Sequence, residues 1–250
     1  MVALVDLLRH PTLAPHLQTD TTPPEIDGNP LRNENIYSGS VAQWMVDDVK
    51  LSSGDPDALP LLYSLFSDGT QWNRRKGMHG VKLGLLSVPQ ALRNSWVSKY
   101  NLGFLSHAQG PPRLRGSAQY KRGKGLLFSK QYELLLDPLL TLQDEGFFFV
   151  RPDGSRIRLV PRLLLAPTDV PEVASMFRCY CVYNTRHPCP VCLARMGRSM
   201  WVANVDGRSQ FAWRTVESMM QAISAGKAKD FSVHDQPVCT SVHLLSGDAC

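Results

Sequence analysis

Between residues 60 and 106 the chain alternates short apolar runs with Gly, Pro, Asn and Asp. Residues 60–66 (PLLYSLF), 80–88 (GVKLGLLSV) and 100–106 (YNLGFLS) are three such runs, each strand-length and bounded by turn-forming residues. The pattern predicts three strands, the first ending at Ser67-Asp68-Gly69. Downstream the period changes. Tyr132, Leu135, Leu136, Leu139 and Leu140 recur at helical spacing and predict a helix over 129–144 with one apolar stripe. Pro138 should kink or interrupt it, and Gly146 should close it. FFFV at 147–150 and RIRL at 156–159 flank Pro152-Asp153-Gly154-Ser155, which predicts a hairpin. The second arm runs on through apolar residues to Ala166 and reaches Asp169.

Outside this stretch the pattern is sparser. A short helix is expected over 40–50, with Val41, Trp44, Met45 and Val49 on one side. Another is expected over 211–224, with Val216, Met219, Met220 and Ile223 on one face. Residues 10–35 are rich in Pro, Thr, Asn and Asp and read as an extended approach segment. Residues 108–125 read as a Gly- and Pro-rich loop. No internal repeat is visible.

Strand, strand, strand, helix, strand is the connectivity of a ribonuclease-H-like fold. The expected class is α/β: a mixed sheet with helices, a small zinc-binding insertion and an α-helical C-terminal segment. The chain divides into an extended N-terminal segment with a short helix (1–58), a partial ribonuclease-H-like core (59–175), a cysteine cluster (176–200), and the start of a helical insertion with a tail (201–250). In such a fold the first and last of these strands run side by side. Asp68 and Asp169 would then stand within roughly 4–8 Å, close enough to share a metal site.

That pair is one of two candidate chemistries. Two-metal phosphoryl transfer needs clustered carboxylates, because Mg²⁺ is a hard cation that takes oxygen ligands and keeps positions open for water and phosphate. Ions about 3.5–4 Å apart activate the nucleophile and stabilise the leaving oxygen. Asp68 is the candidate bridging ligand and Asp169 the ligand of one ion. Both also have plainer readings. Asp68 before Gly69 fits a turn, and Asp169 before Pro171 and Glu172 fits a helix cap.

The second candidate is the cluster Cys179-x-Cys181, His187, Cys189-x-x-Cys192. Two thiolates at the spacing of a zinc knuckle lie between Pro188 and the cluster's end, and a tetrahedral site needs four of these five ligands. Buried thiols or a redox pair are the alternatives. The Pro-Cys-x-x-Cys half of a zinc deaminase is present, but its His-x-Glu is not: His79 is followed at that spacing by Val81 and His107 by Gln109. Cys239 and Cys250 stand apart as simple thiols of the tail.

Composition adds limits. Of 250 residues, 27 are Lys or Arg and 22 are Asp or Glu, a net charge of +5 that permits nucleic-acid binding without demanding it. Arg74, Arg75 and Lys76 follow the first strand, and Arg113, Arg115, Lys121, Arg122 and Lys124 crowd the 108–125 loop. These are the candidate DNA-phosphate contacts, with Trp72 and Tyr120 placed to stack on unpaired bases; a solvated loop is the plainer alternative. No run approaches the roughly 18 apolar residues of a membrane span, and the N-terminus lacks a basic segment before its apolar residues. Four of six cysteines cluster within 179–192, which suits metal and a reducing compartment better than a disulfide framework.

Several stretches together resemble the Plavaka-type DDE transposases of the Kyakuja–Dileera–Zisupton group. They are LPLLY at 59–63 with Asp68, Gly69 and Thr70; LGLLSVP at 83–89 with Arg93; LGFL at 102–105; and LLDPL at 135–139. Gly146, Asp153, Gly154, Arg158 and Pro161 follow in order, then Asp169, Pro171, Glu172, Cys189 and Cys192. The resemblance covers roughly residues 36–195. It implies that Asp68 and Asp169 are the first two acids of a catalytic triad using Mg²⁺ or Mn²⁺, that the cysteines form a zinc-binding insertion, and that the partner is DNA in the nucleus. It also implies homo-oligomers in the full-length family and no small-molecule cofactor. The family's third acid has no counterpart: Glu217 is the one glutamate after Cys192, at a position that does not match. Extra residues separate Tyr63 from Asp68, and the tail from Pro237 resembles nothing in the family. The chain thus reads as an N-terminal part of a catalytic core, a truncated copy or a co-opted one. The alternative is a non-catalytic zinc-bearing module that binds DNA or protein.

Overall fold

A computed structural model describes residues 2–21, 35–73, 76–106, 110–151, 153–167, 179–180, 185–187, 189, 193 and 215–234. Five strands, β1 (Leu59–Asn73), β2 (Lys76–Leu85), β3 (Lys99–Ser106), β4 (Phe147–Val150) and β5 (Arg156–Leu165), form one sheet in the order β3-β2-β1-β5-β4. β1–β2, β2–β3 and β4–β5 are antiparallel, whereas β1 and β5 are parallel. Among the described residues the α-helices are α1 (Val2–Arg9), α2 (Ser40–Ser53), α3 (Gln90–Arg93), α4 (Ala118–Glu145) and α5 (Val216–Ser224). The expected α/β mixed sheet is therefore present, and no helix among the described residues is long and apolar enough to cross a membrane.

The sheet is buried on both sides at β1 and β5, which is why those strands read as continuous apolar runs rather than alternating ones. Leu59, Leu61, Tyr63 and Leu65 of β1 point into the main core with Val81, Leu83 and Leu85 of β2 and Leu159 and Leu163 of β5. α1 and α4 cover that face, contributing Leu4, Leu7 and Leu8, and Tyr132, Leu136 and Leu139. On the opposite face Leu62 packs on Tyr37, Ala42, Met45 and Val46, and Val160 packs on Val49 and Ala58. α2 thus covers β5 and the first half of β1. The buried phenol of Tyr37 donates to the Pro60 carbonyl at 2.6 Å and pairs with Ser87 Oγ at 2.9 Å, while Leu62 N–H donates to that same Oγ at 2.8 Å. This network satisfies polar groups at the point where β2 leaves the sheet.

Several boundaries differ from the sequence expectation. β1 does not end at Ser67-Asp68-Gly69; it runs to Asn73, with Asp68 paired to Gly80 inside the β1–β2 ladder. Cross-strand pairing keeps these turn-prone residues extended. The 108–125 stretch is not a loop throughout. A short 3₁₀ turn at Pro112–Leu114 is followed by α4, which starts at Ala118 and is capped by the Ser117 hydroxyl accepting from Tyr120 N–H. Gly123 and Gly125 lie inside the helix, where the downstream apolar stripe overrides their low propensity. Pro138 does not end α4, which continues to Glu145. On α2 the buried stripe is Ala42, Met45, Val46 and Val49, and Val41 and Trp44 face outward. On α5 Met219 and Ala222 are buried and Met220 is exposed.

The predicted hairpin is present. Phe147 pairs with Leu159 and Val150 with Arg156. In the turn Asp153 accepts from Ser155 Oγ (2.6 Å) and Ser155 N–H (2.8 Å), which holds its carboxyl below the ordinary aspartate range.

Candidate functional site

The parallel pair β1 and β5 fixes the geometry of the site. Leu59 pairs with Leu159 and Tyr63 with Leu163; after a local irregularity Ser64 pairs with Leu165. Bulges of this kind are enriched beside functional sites. Beyond Ser64, β1 continues through Ser67 to Asp68. Ser67 is buried, and its Oγ accepts from Tyr132 of α4 at 2.6 Å, so the strand is tied to α4 one residue before the candidate acid. Asp169, the second candidate acid, lies outside the described residues, which end at Pro167 on this side.

Two arginines brace β5. Arg158 donates to the carbonyls of Glu145 (2.7 Å) and Ser53 (3.4 Å). Arg162, 8% exposed, donates to Asp48 (3.1 and 3.3 Å), to the Gln143 carbonyl (2.9 Å) and to Ser52 Oγ (3.4 Å). The β5 arginines thereby bind the C-terminal turns of both α2 and α4, the negative ends of the helix dipoles. Periodicity does not reveal this role, because an arginine inside an apolar run reads as an exception.

The predicted DNA-binding cations fall in three places. Arg74 and Arg75 lie outside the described residues, and Lys76 opens β2 opposite Asn73. Arg113 sits in the 3₁₀ turn, and the exposed Arg115 donates to the Gly110 carbonyl at 3.0 Å. Lys121, Arg122 and Lys124 are exposed on the first turns of α4, ahead of Phe128, which packs against the main core. Tyr120 does not stand as an open stacking ring. Its hydroxyl accepts from Gly110 N–H at 3.1 Å and its ring lies against Gly110 so closely that no side chain fits there.

Sequence reading missed the open face of the sheet. A cleft of about 630 Å³ is lined there by Ser64, Phe66, Lys82, Gly84, Arg93 and Lys99, among others, and by Leu165 and Pro167 at the end of β5. The Arg93 guanidinium is spent on structure, donating to the Leu86 and Val88 carbonyls and to Gln18 Oε1. The signal was available: in GVKLGL the even positions are Gly80, Lys82 and Gly84, a non-apolar face on an otherwise apolar strand.

Of the cysteine cluster, Cys179 and His187 pack against the region of the C-terminal helix. Cys179 is buried with Met219, Ala228 and Val233, its Sγ 3.9 Å from the Met219 sulfur, and forms a bridge with Val233. Tyr180 N–H donates to the Ser232 carbonyl, and the Tyr180 and His234 rings stack at 4.0 Å. His187 is buried; its N–H donates to Ser232 Oγ at 3.0 Å, and its Nδ1 lies 2.7 Å from the Leu193 carbonyl. The carbonyl can only accept, so Nδ1 donates to it, a contact that metal-ligating histidines commonly make. Cys189 is partly exposed, while Cys181 and Cys192 lie outside the described residues. Among the described residues no group of three or more His, Cys, Asp or Glu is gathered in metal-binding geometry.

No protein-family model matches the chain, and no curated relative matches its sequence.

Proposed function

We propose that this chain carries part of the catalytic core of a Plavaka-type DDE transposase, of the Kyakuja–Dileera–Zisupton group, built on a ribonuclease-H-like sheet and acting on DNA in the nucleus, with the third acid unassigned. The observation that carries this reading is the register of β1 against β5. Ser64 pairs with Leu165; Asp68 stands four residues beyond the first and Asp169 four beyond the second. β5 ends at Leu165, so the equal offset of the two acids from the last pair is one of sequence. The antiparallel β3-β2-β1 meander followed by a parallel strand on the far side of β1 also suits the fold, with β4 an added hairpin arm at the edge.

In this reading Asp68 and Asp169 hold Mg²⁺ or Mn²⁺, which supplies charge neutralisation and an activated oxygen nucleophile for phosphoryl transfer. Four of Cys179, Cys181, His187, Cys189 and Cys192 hold a structural Zn²⁺. The thiolate and imidazole donors suit that ion, and the Nδ1 contact of His187 suits its ligand role.

One observation favours the second reading, a non-catalytic zinc-bearing module that binds DNA or protein. Glu217 lies exposed in the first turn of α5, where an acid complements the helix dipole; that placement accounts for it without a catalytic role.

Titration of the full chain with Mn²⁺, followed by calorimetry, tests the acidic pair. Asp68→Asn and Asp169→Asn should each abolish the binding event while leaving the circular dichroism spectrum unchanged. Equal Mn²⁺ affinity in wild type and both variants sinks the pairing. Metal binding without Mn²⁺-dependent nicking of DNA selects the non-catalytic module. For zinc, purified Cys189→Ser and Cys192→Ser proteins should lose bound metal in elemental analysis; unchanged content rejects the site.

A further inference from the structure

We infer that the outer edge of β4 is an interface between two copies of this chain, which pair antiparallel about a two-fold axis and join their sheets. β4 lies at one end of the strand order. In its hairpin Arg151 N–H donates to the Ser155 carbonyl, and the register steps from there to Phe149 with Ile157 and Phe147 with Leu159. Along an antiparallel ladder alternate residues turn their N–H and C=O toward the partner strand, and the residues between turn theirs away. Phe148 and Val150 are the ones turned away, and among the described residues nothing meets their backbone groups on that side. Their side chains are also open, 58% exposed for Phe148 and 62% for Val150. Lysine, proline and bulges, the devices that blunt a sheet edge, do not occur within Phe147–Val150. The opposite edge is guarded at its end: Ser106 N–H donates to Gln131 Oε1 at 2.7 Å, and Gln131 Nε2 donates to the Ser106 carbonyl at 3.1 Å.

The order of charges along the segment selects a second copy as the occupant. Asp144 and Glu145 precede β4, and Arg151 follows it. Two copies laid antiparallel bring the basic end of each strand to the acidic end of the other, whereas parallel pairing sets like charges together. The neighbours leave these signs unchanged: Arg158 stands beside the two acids, and Arg156 offsets Asp153 at the basic end. Arg151 makes no salt bridge among the described residues, and its Nε has no hydrogen-bond partner. The register that uses every outward group sets Phe148 opposite the second copy's Val150, and Val150 opposite its Phe148. On the other side of the sheet the same register sets Phe149 against its own copy on the axis and Phe147 against the second copy's Arg151. These are aromatic and cation–aromatic pairs of the kind that stabilise neighbouring strands. A strand from a different protein could use the backbone edge, but nothing in this chain would supply its charges.

The test is sedimentation velocity of the full chain over a wide concentration range, without DNA or added Mg²⁺, so that its failure leaves the carboxylate pair standing. A monomer–dimer equilibrium is expected. Val150→Pro removes an outward N–H and leaves the β4–β5 ladder intact, since proline is tolerated where the N–H faces away from the sheet. Counted in both copies, the loss should weaken the dimer roughly tenfold. Glu145→Arg and Arg151→Glu should each weaken it about fivefold, and the two reversals combined in one chain should restore it. Hydrogen exchange at the Phe148 and Val150 amides should slow as the dimer forms, while Phe149, already bonded to β5, should not change. Thermal melts of each variant check that the fold is intact. A monomer at every concentration, a dimer unmoved by Val150→Pro, or a double reversal that fails to rescue overturns the proposal.

Discussion

Gly146→Ala is expected to lower the free energy of unfolding by about 3 kcal/mol, read as a lower urea midpoint at an unchanged slope. Gly146 ends α4 with φ +64° and ψ −175°, a backbone region that is essentially restricted to glycine. Strain there costs about 1–3 kcal/mol for any other residue. Space adds to it. A Cβ would stand 3.0 Å from the Leu159 carbonyl oxygen, 3.1 Å from Val160 Cγ2 and 3.2 Å from Arg158 Nε. Leu159 is paired on both sides, to Leu59 and to Phe147, so its backbone is held in place by two neighbouring strands. Gly154 is the control. It also has positive φ (+84°), but nothing lies within 4 Å of its would-be Cβ. Gly154→Ala should therefore cost only the conformational share, about 1 kcal/mol. Equal effects at the two positions would show that the contact with Leu159 is not what holds Gly146.

The contrast explains what the sequence revealed. Gly146 was legible as the end of α4, since a glycine after an amphipathic stripe is a common stop. Its contact with Leu159 was not, because it depends on where β5 lies. The hairpin and the three-strand meander were legible for the same local reason: apolar runs separated by turn residues. Ser67-Asp68-Gly69 misled because its turn propensity is local, whereas its pairing with β2 is not. The start of α4 misled in the other direction, since Gly123 and Gly125 concealed a helix that Ser117 caps and Tyr132 anchors. At the site, Asp68 is a candidate from its place after an apolar run. Phe66, Lys82 and Lys99, which line the cleft, were missed because one strand's alternation gains meaning only when three strands share a face.

Arg162→Met is the second large effect, about 2–3 kcal/mol of lost stability. Methionine keeps most of the volume, so the loss measures polar contacts rather than a cavity. The Arg162 side chain is 10% exposed and that of Asp48 is 38% exposed. Asp48 can regain water when its partner goes, so the ion pair itself contributes at most about 1 kcal/mol. The Gln143 carbonyl loses the 2.9 Å donor from Arg162 that anchors the C-terminal turn of α4. Asp48→Asn should accordingly cost no more than about 1 kcal/mol, and the two substitutions should separate clearly in urea titrations. The consequence reaches the site. β4 pairs with β5 only as far as Leu159, so Arg162 is what braces the following residues against α2 and α4. Those residues carry the Ser64–Leu165 pairing, the last of the β1–β5 ladder. Hydrogen exchange in Arg162→Met should accelerate at Leu163 and Leu165 while the amides of β2 stay protected. Uniform acceleration across the sheet would mean that Arg162 supports the whole fold rather than this end of β5.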